Sequence, residues 1–198
     1  MRVAEGGRAL IGVAYRGIML SVAAMALRNT LVLGLLDRRT LLVSAGSLGL
    51  MFLASGALAF LKPAAAPSTE EKPLDLKSPF SLFSALKFGV IFLLLQVFGS
   101  VAQAVFGRFG FYAVSFLGGL VSSASAVAAA ATLAAHHQIS PTVAGIGAIL
   151  ASLASASVNV ILVSRFSHSA ALNRRVGIAT AIVLALGLAG AVITGRFA

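Results

Sequence analysis

The sequence predicts an all-α, polytopic integral membrane helix bundle of about six transmembrane helices, and three observations predict it. From Phe109 to Ser164 the chain runs for 56 residues without a Lys, Arg, Asp or Glu, long enough at 1.5 Å per residue for two crossings of a hydrocarbon core ~30 Å thick. The composition is 59% hydrophobic and 10% charged with a mean hydropathy of +1.02, which leaves too little polar surface to coat a water-soluble globule. All five prolines, Pro63, Pro67, Pro73, Pro79 and Pro141, fall outside the apolar windows, where the missing N–H costs no internal hydrogen bond.

The elements follow in order. A first helix is expected within the opening 36 residues. Arg2 and Arg8 before an apolar stretch, with Ala24-Met25-Ala26 downstream, have the cast of a secretory signal and its small-residue cleavage site. Arg16 breaks that stretch and hydrophobic residues resume after Arg28, so the helix is expected to stay uncleaved. Thr40 to Leu61 gives 22 uncharged residues, Phe88 to Gly107 gives 20, the long run gives two crossings, and Val176 to Gly195 gives 20. Ser140-Pro141 reads as an N-cap followed by the first helical residue, which leaves His136 to Ile139 as the turn between the fourth and fifth helices. Ala113 to Ala135 contains 15 Ala, Gly or Ser among 23 residues, too little hydrocarbon surface to reward facing lipid, so that helix belongs inside the bundle.

The segment 62–79 holds four of the five prolines, three of the five acids (Glu70, Glu71, Asp75) and three lysines (Lys62, Lys72, Lys77). Such a composition favours an extended linker over a packed domain. The chain therefore divides into transmembrane helices 1 and 2 over residues 1–61, the polar linker over 62–79, and a four-helix membrane domain over 80–198.

Fifteen basic and five acidic residues give a net charge of +10. In a soluble chain that would suggest nucleic acid; here the expected partner is the lipid bilayer with its anionic headgroups, and no nucleic acid. With no cysteine, disulfides, thiolate metal sites and thiol nucleophiles are excluded. Six crossings would put Arg2, Arg8, Arg16, Lys62, Lys72, Lys77, Lys87 and Arg196 on one side and the other seven basic residues on the opposite side, so the positive-inside rule gives no orientation.

Candidate functional residues lie within the apolar windows. Arg16 and Arg28 stand 12 residues apart, about 18 Å along a helix. A crossing over Ala9 to Leu27 puts Arg16 near mid-membrane, whereas one over Gly17 to Leu36 buries Arg28. An intramembrane arginine must face protein, water or phosphate, because hydrocarbon costs it at least ~2.5–3.5 kcal/mol; with Asn29 beside it, Arg28 is the preferred candidate, against the simpler alternative of a helix lying partly in the interface. Polar seams mark three further helices: Gln96, Ser100 and Gln103; Ser115, Ser122, Ser125 and Thr132 with Ser123 alongside; and Ser152, Ser155 and Asn159. They suit either a solute path or helix packing through hydroxyls and small residues. Gly118 and Gly119, the ladder Gly147, Ala151, Ser155, Asn159, and Gly187 with Ala191 are candidate packing positions.

No metal or cofactor is expected. His136 and His137 are adjacent in a turn, point apart and lack carboxylate or thiolate partners, and His168 among Arg165, Arg174 and Arg175 suits headgroup contact. No acid lies inside a credible crossing, which leaves the chain alone poorly equipped to carry protons or Mg²⁺. No Ser-His-acid set or phosphate-binding glycine loop is present, so no enzymatic activity is expected.

Leu74-Asp75-Leu76-Lys77, Ala85-Leu86-Lys87-Phe88-Gly89, Phe111-Tyr112, Phe116-Leu117-Gly118-Gly119-Leu120-Val121-Ser122-Ser123 and Ala154-Ser155-Ala156-Ser157-Val158-Asn159 occur in an order and spacing that resembles the bacterial membrane domain of unknown function 4010. Met25-Ala26-Leu27-Arg28-Asn29 with Leu31 to Leu36 is similar to that family's first helix. The resemblance implies a multi-pass protein of the bacterial inner (cytoplasmic) membrane with a role in ion or small-solute homeostasis, transporter-like or, alternatively, a non-transporting assembly or regulatory subunit. It also implies a homo-oligomer or an MgtC/SapB-like membrane partner, since that domain commonly precedes this one in the same polypeptide and is absent here, as in a stand-alone, split or truncated version. Where the family pattern often has a lysine, four residues after the asparagine matched by Asn159, this chain has Val163.

Overall fold

Three single residues at which the backbone leaves the helical region decide how this nearly all-helical chain is arranged. The computed structural model describes residues 2–61, 82–167 and 169–197; the 62–79 linker and His168 lie outside the described residues. The helices are α1 (Arg2–Leu36), α2 (Arg38–Phe60), α3 (Leu82–Ala135), α4 (Pro141–Phe166) and α5 (Ala170–Phe197). All five are long and apolar enough to cross a membrane.

The first break is Asp37, with φ −152° and ψ 103°. Its carboxylate accepts the N–H groups of Arg39 at 3.2 Å and Thr40 at 3.1 Å, which caps α2 and folds it back along α1. Tyr15 and Met19 from early α1 consequently share a cluster with Ala59 from the end of α2. With a turn at Asp37, the crossing runs back from Leu36, and Arg16 lies 20 residues away, about 30 Å and thus at the far boundary. Counted from that turn, Arg28 lies deeper in the span than Arg16.

The second break is Gly107, whose φ of 62° is a left-handed conformation that a side chain disfavours. There α3 turns back on itself. A Cβ on Gly110 would fall 2.4 Å from the carbonyl oxygen of Ala102, and one on Gly118 would fall 2.5 Å from Leu95.

The third break, Ser122 (φ −159°, ψ 100°), has nearly the backbone angles of Asp37 and the same effect. A point on Gly99 lies 3.3 Å from Phe111 and 3.4 Å from Leu133. Those two residues are 22 apart in sequence and would be separated by about 33 Å along one straight helix. Phe111 likewise shares a cluster with Leu133, Ala134, Ile139 and Ala144. Residues 108–121 and 123–135 are therefore the two limbs of a helical hairpin, about 21 and 20 Å long, that enters and leaves on one face with its tip at Ser122.

This revises the expected six crossings. The sequence places an apolar helix correctly over 109–135, but it is a re-entrant hairpin, so five segments cross: α1, α2, the first limb of α3 (82–106), α4 and α5. Its small residues are the physical reason. Non-helical backbone at membrane depth must be enclosed by protein or line a polar cavity, and Ala126 to Ala131 are all buried. Gly119 lets the hairpin approach α4 so closely that a Cβ there would fall 2.3 Å from the Ala151 carbonyl oxygen.

Topology follows from these pairings. Gly145 near the start of α4 abuts Val43 and the Thr40 carbonyl, so the Asp37, Gly107 and 136–140 turns share one face, here called distal. The ends of α2 and α4 and the starts of α1, α3 and α5 share the opposite, proximal face. Ser47 against Gly190 and Met51 against Gly187 confirm that α5 runs antiparallel to α2. A core of Val22, Leu33, Leu48, Met51, Val127, Ile149 and Val183 joins α1, α2, the hairpin, α4 and α5.

By backbone position, Arg2, Arg8, Arg16, Lys87, Arg165, Arg174 and Arg175 are proximal, and Arg38, Arg39, Arg108 and Arg196 are distal. The tie expected from six crossings becomes seven against four among the described residues.

Candidate functional site

A hairpin about 20 Å deep in a ~30 Å core leaves the proximal part of its own column unfilled. A cavity of about 500 Å³ lies there, lined by Ser21, Ala24, Met25 and Arg28 of α1 and by Ser155 and Asn159 of α4.

The hairpin tip joins this lining through Arg28. Ser122 Oγ accepts the Ser125 N–H at 3.3 Å and stands 3.0 Å from Ser125 Oγ, so Ser122 caps the 123–135 limb much as Asp37 caps α2. A neutral hydroxyl does within the span what a carboxylate does at the surface, without burying a charge. The Ser125 hydroxyl in turn donates to the Phe88 carbonyl at 3.4 Å, tying the tip to the first limb of α3.

Arg28 reaches this tip, donating from Nη2 to Ser123 Oγ at 3.2 Å. It lies nine residues before Asp37, about 13 Å from the distal turn. Its guanidinium is open to the cavity and carries the one formal charge among the lining residues. On the next residue, the fully buried Asn29 donates from Nδ2 to Ser152 Oγ at 2.9 Å, and the Ser152 hydroxyl in turn donates a hydrogen bond to the Ala148 carbonyl at 2.8 Å. This bond pins α1 to α4 and so fixes the approach of Arg28. The second Asn29 polar atom, Oδ1, is buried without a hydrogen-bond partner.

Arg28, Ser122, Ser123, Ser125, Ser155 and Asn159 are thus brought together, whereas Asn29 supports the site from within the packing. Gln96 and Ser100 are not part of it: they line a separate crevice of about 280 Å³ with Leu133 and Gln138 at the foot of the hairpin. Gln103 has its Oε1 buried and unpaired. Gly147 meets Phe111 and Ser115, Gly187 meets Met51 and Leu153, Ala151 is fully buried, and Ala191 packs against the core. Ser21, Ala24 and Met25 were missed by the sequence reading. They precede Arg28 by seven, four and three residues, the spacing of one helical face, and that was the available signal.

At the distal surface the Asp37 carboxyl is held below its ordinary range. Burial alone would raise it, but hydrogen bonds from the Thr40 hydroxyl and N–H and the Arg39 N–H, with the Arg39 charge, outweigh that effect. Among the described residues no cluster of His, Cys, Asp or Glu could hold a metal ion.

Residues 1–167 match the family model described as "Domain of unknown function (DUF4010)". An uncharacterized protein of Aquifex aeolicus (strain VF5) is 33% identical over 78 residues, which is 39% of this chain and 34% of that protein. The chain therefore matches about a third of that relative's length. No solved structure matches.

Proposed function

The chain belongs to the DUF4010 family, and we propose that it is a transporter-like component of ion or small-solute homeostasis in a bacterial inner membrane, with the cavity above the hairpin tip as its solute site. One observation carries this reading: a helical hairpin ends inside the membrane span, and its serine tip meets an arginine in a cavity of about 500 Å³. Pure packing gains nothing from a hairpin that stops about two-thirds of the way across, since a full crossing would bury more surface and leave no backbone ends to satisfy. Half-helix termini at the midplane are a recurrent way to present backbone dipoles to a solute. The excess of basic residues on the proximal face supports a cytoplasmic position for that face, with the cavity on the cytoplasmic side of the tip.

The test is reconstitution in liposomes with a flux assay and an Asn159→Leu variant. Asn159 lines the cavity and is only half-buried, so the substitution should abolish flux while membrane insertion and yield stay unchanged. Undiminished flux would refute the assignment. The second reading, a regulatory subunit docking another membrane protein, draws on the outward apolar face of the first α3 limb, where Leu86, Leu93, Val97 and Val101 are exposed. Recovery with a stoichiometric partner and no flux by the chain alone would favour it.

A further inference from the structure

We propose that the cavity binds a small oxyanion, a carboxylate or phosphate group, with the Arg28 guanidinium as its counter-charge; this rests on the reading of the cavity as a solute site. The lining residues include no carboxylate, and their polar side chains are hydroxyls, one amide and one guanidinium. A cation would find a fixed positive charge and nothing negative to offset it. Arg28 spends one donor on Ser123, and among the described residues no carboxylate meets it. A guanidinium has five N–H donors in a planar fork matched to two oxygens of a carboxylate or phosphate.

The hairpin adds donors at the same place. The 123–135 limb starts beside Arg28 and runs toward the distal face while the 108–121 limb ends at the same tip, so their end dipoles oppose one another and the fixed charge of Arg28 sets the sign. The first-turn N–H groups of the 123–135 limb lie beside the hydroxyl that Arg28 contacts. Ser155 and Asn159 on α4 supply further donors across the cavity. At this depth such charges are screened far less than at the surface.

The absence of cysteine gives a clean test. A Ser155→Cys variant of the full chain, reconstituted in phosphatidylcholine vesicles, is treated with an anionic (sulfonatoethyl) and a cationic (trimethylammonioethyl) methanethiosulfonate. Each rate is normalised to that of a small free thiol. The anionic reagent should be favoured by about tenfold or more, and adding Arg28→Gln should remove the preference while Arg28→Lys retains part of it. Sodium phosphate or sodium acetate at constant ionic strength should slow labelling, and comparing the two tells which oxyanion is preferred. Vesicles containing phosphatidylglycerol report whether a lipid phosphate occupies the same place, which would supply the oxyanion from the bilayer. Equal normalised rates, a cationic preference, or a preference that survives Arg28→Gln would overturn the inference and leave the solute site standing. Reaction with neither reagent would instead show that water does not reach Ser155, and would overturn the solute site itself. Ser21→Cys, on the exposed part of the same lining, repeats the measurement should Ser155→Cys fold poorly.

Discussion

Gly119→Ala isolates the seating of the hairpin from everything else in the bundle. A Cβ at this position would lie 2.3 Å from the Ala151 carbonyl oxygen, 2.5 Å from its Cα and 2.7 Å from its carbonyl carbon. All three are backbone atoms of α4, so no side chain can rotate out of the way. Moving the nearest contact from 2.3 Å to an ordinary 3.4 Å requires the hairpin and α4 to part by about 1 Å. Overpacking of this kind costs about 1–3 kcal/mol, and its purely backbone character places this site near 3 kcal/mol. Because Ser122 and Ser123 lie three and four residues beyond Gly119, the same displacement carries the tip away from Arg28, whose 3.2 Å bond has little length to give. Gly56→Ala is the control: nothing lies within 4 Å of its Cβ position, and replacing a mid-helix glycine favours the helix by up to about 1 kcal/mol. Thermal unfolding of the two purified variants in detergent should therefore move in opposite directions. If Gly119→Ala unfolds with or after the unaltered protein, the hairpin does not sit on α4 and the derivation of the cavity from its length fails.

Two further outcomes test the surroundings of the site. Asn29→Leu removes the buried bond to Ser152 and should cost about 1–2 kcal/mol, read as a lower midpoint of thermal unfolding; an unchanged midpoint would show that this bond does not fasten α1 to α4. Asp37 has a folded-state pKa below its unfolded value, so its contribution to stability is present above the unfolded value and lost as pH falls through the folded one. Asp37→Asn should thus narrow the stability gap to the unaltered protein on acidification below about pH 4; a gap independent of pH in that range would contradict the capping role.

Much of the architecture was legible in the sequence because hydrocarbon is an exacting solvent. Charge-free windows located the apolar helices after the first, and Ser140-Pro141 marked the start of α4, where Ser140 Oγ does accept the Val143 N–H at 3.3 Å. The deeper position of Arg28 relative to Arg16 was not legible, because the sequence permitted two registers and the depth is counted from the capped turn at Asp37. The hairpin was hidden for a related reason. A 27-residue apolar run from Phe109 to Ala135 satisfies the length for a crossing, and hydropathy does not register a reversal that keeps both limbs apolar. The clue was local: Ser122 has Ser125 three residues on, the spacing of a cap that accepts an N–H from the first helical turn, and it follows the close-packing Gly118-Gly119 pair. Of the expected seam Gln96, Ser100 and Gln103, the first two line one crevice and Gln103 does not; its direction around the bundle depends on how 82–106 docks on the hairpin, which periodicity does not encode.

Each unusual component of the site would be a liability without the others. An arginine inside the hydrocarbon is unfavourable by at least ~2.5–3.5 kcal/mol, and a helix reversal at the same depth exposes the last carbonyls of one limb and the first N–H groups of the next, each of which needs a partner. Placing Arg28 beside Ser123 joins these two demands at one place, with the guanidinium as the uncompensated charge. Hydrogen bonding within the chain offsets only part of that, since Ser122 Oγ satisfies one N–H of the first turn and Ser123 occupies one of the five guanidinium donors. A dry, closed packing would leave the remainder unsatisfied, whereas an open polar cavity hydrates it and an oxyanion neutralises it. Re-entrant hairpin, intramembrane cation and unfilled column are therefore one device, and the unneutralised charge that makes the empty site costly sets the sign of the solute it favours.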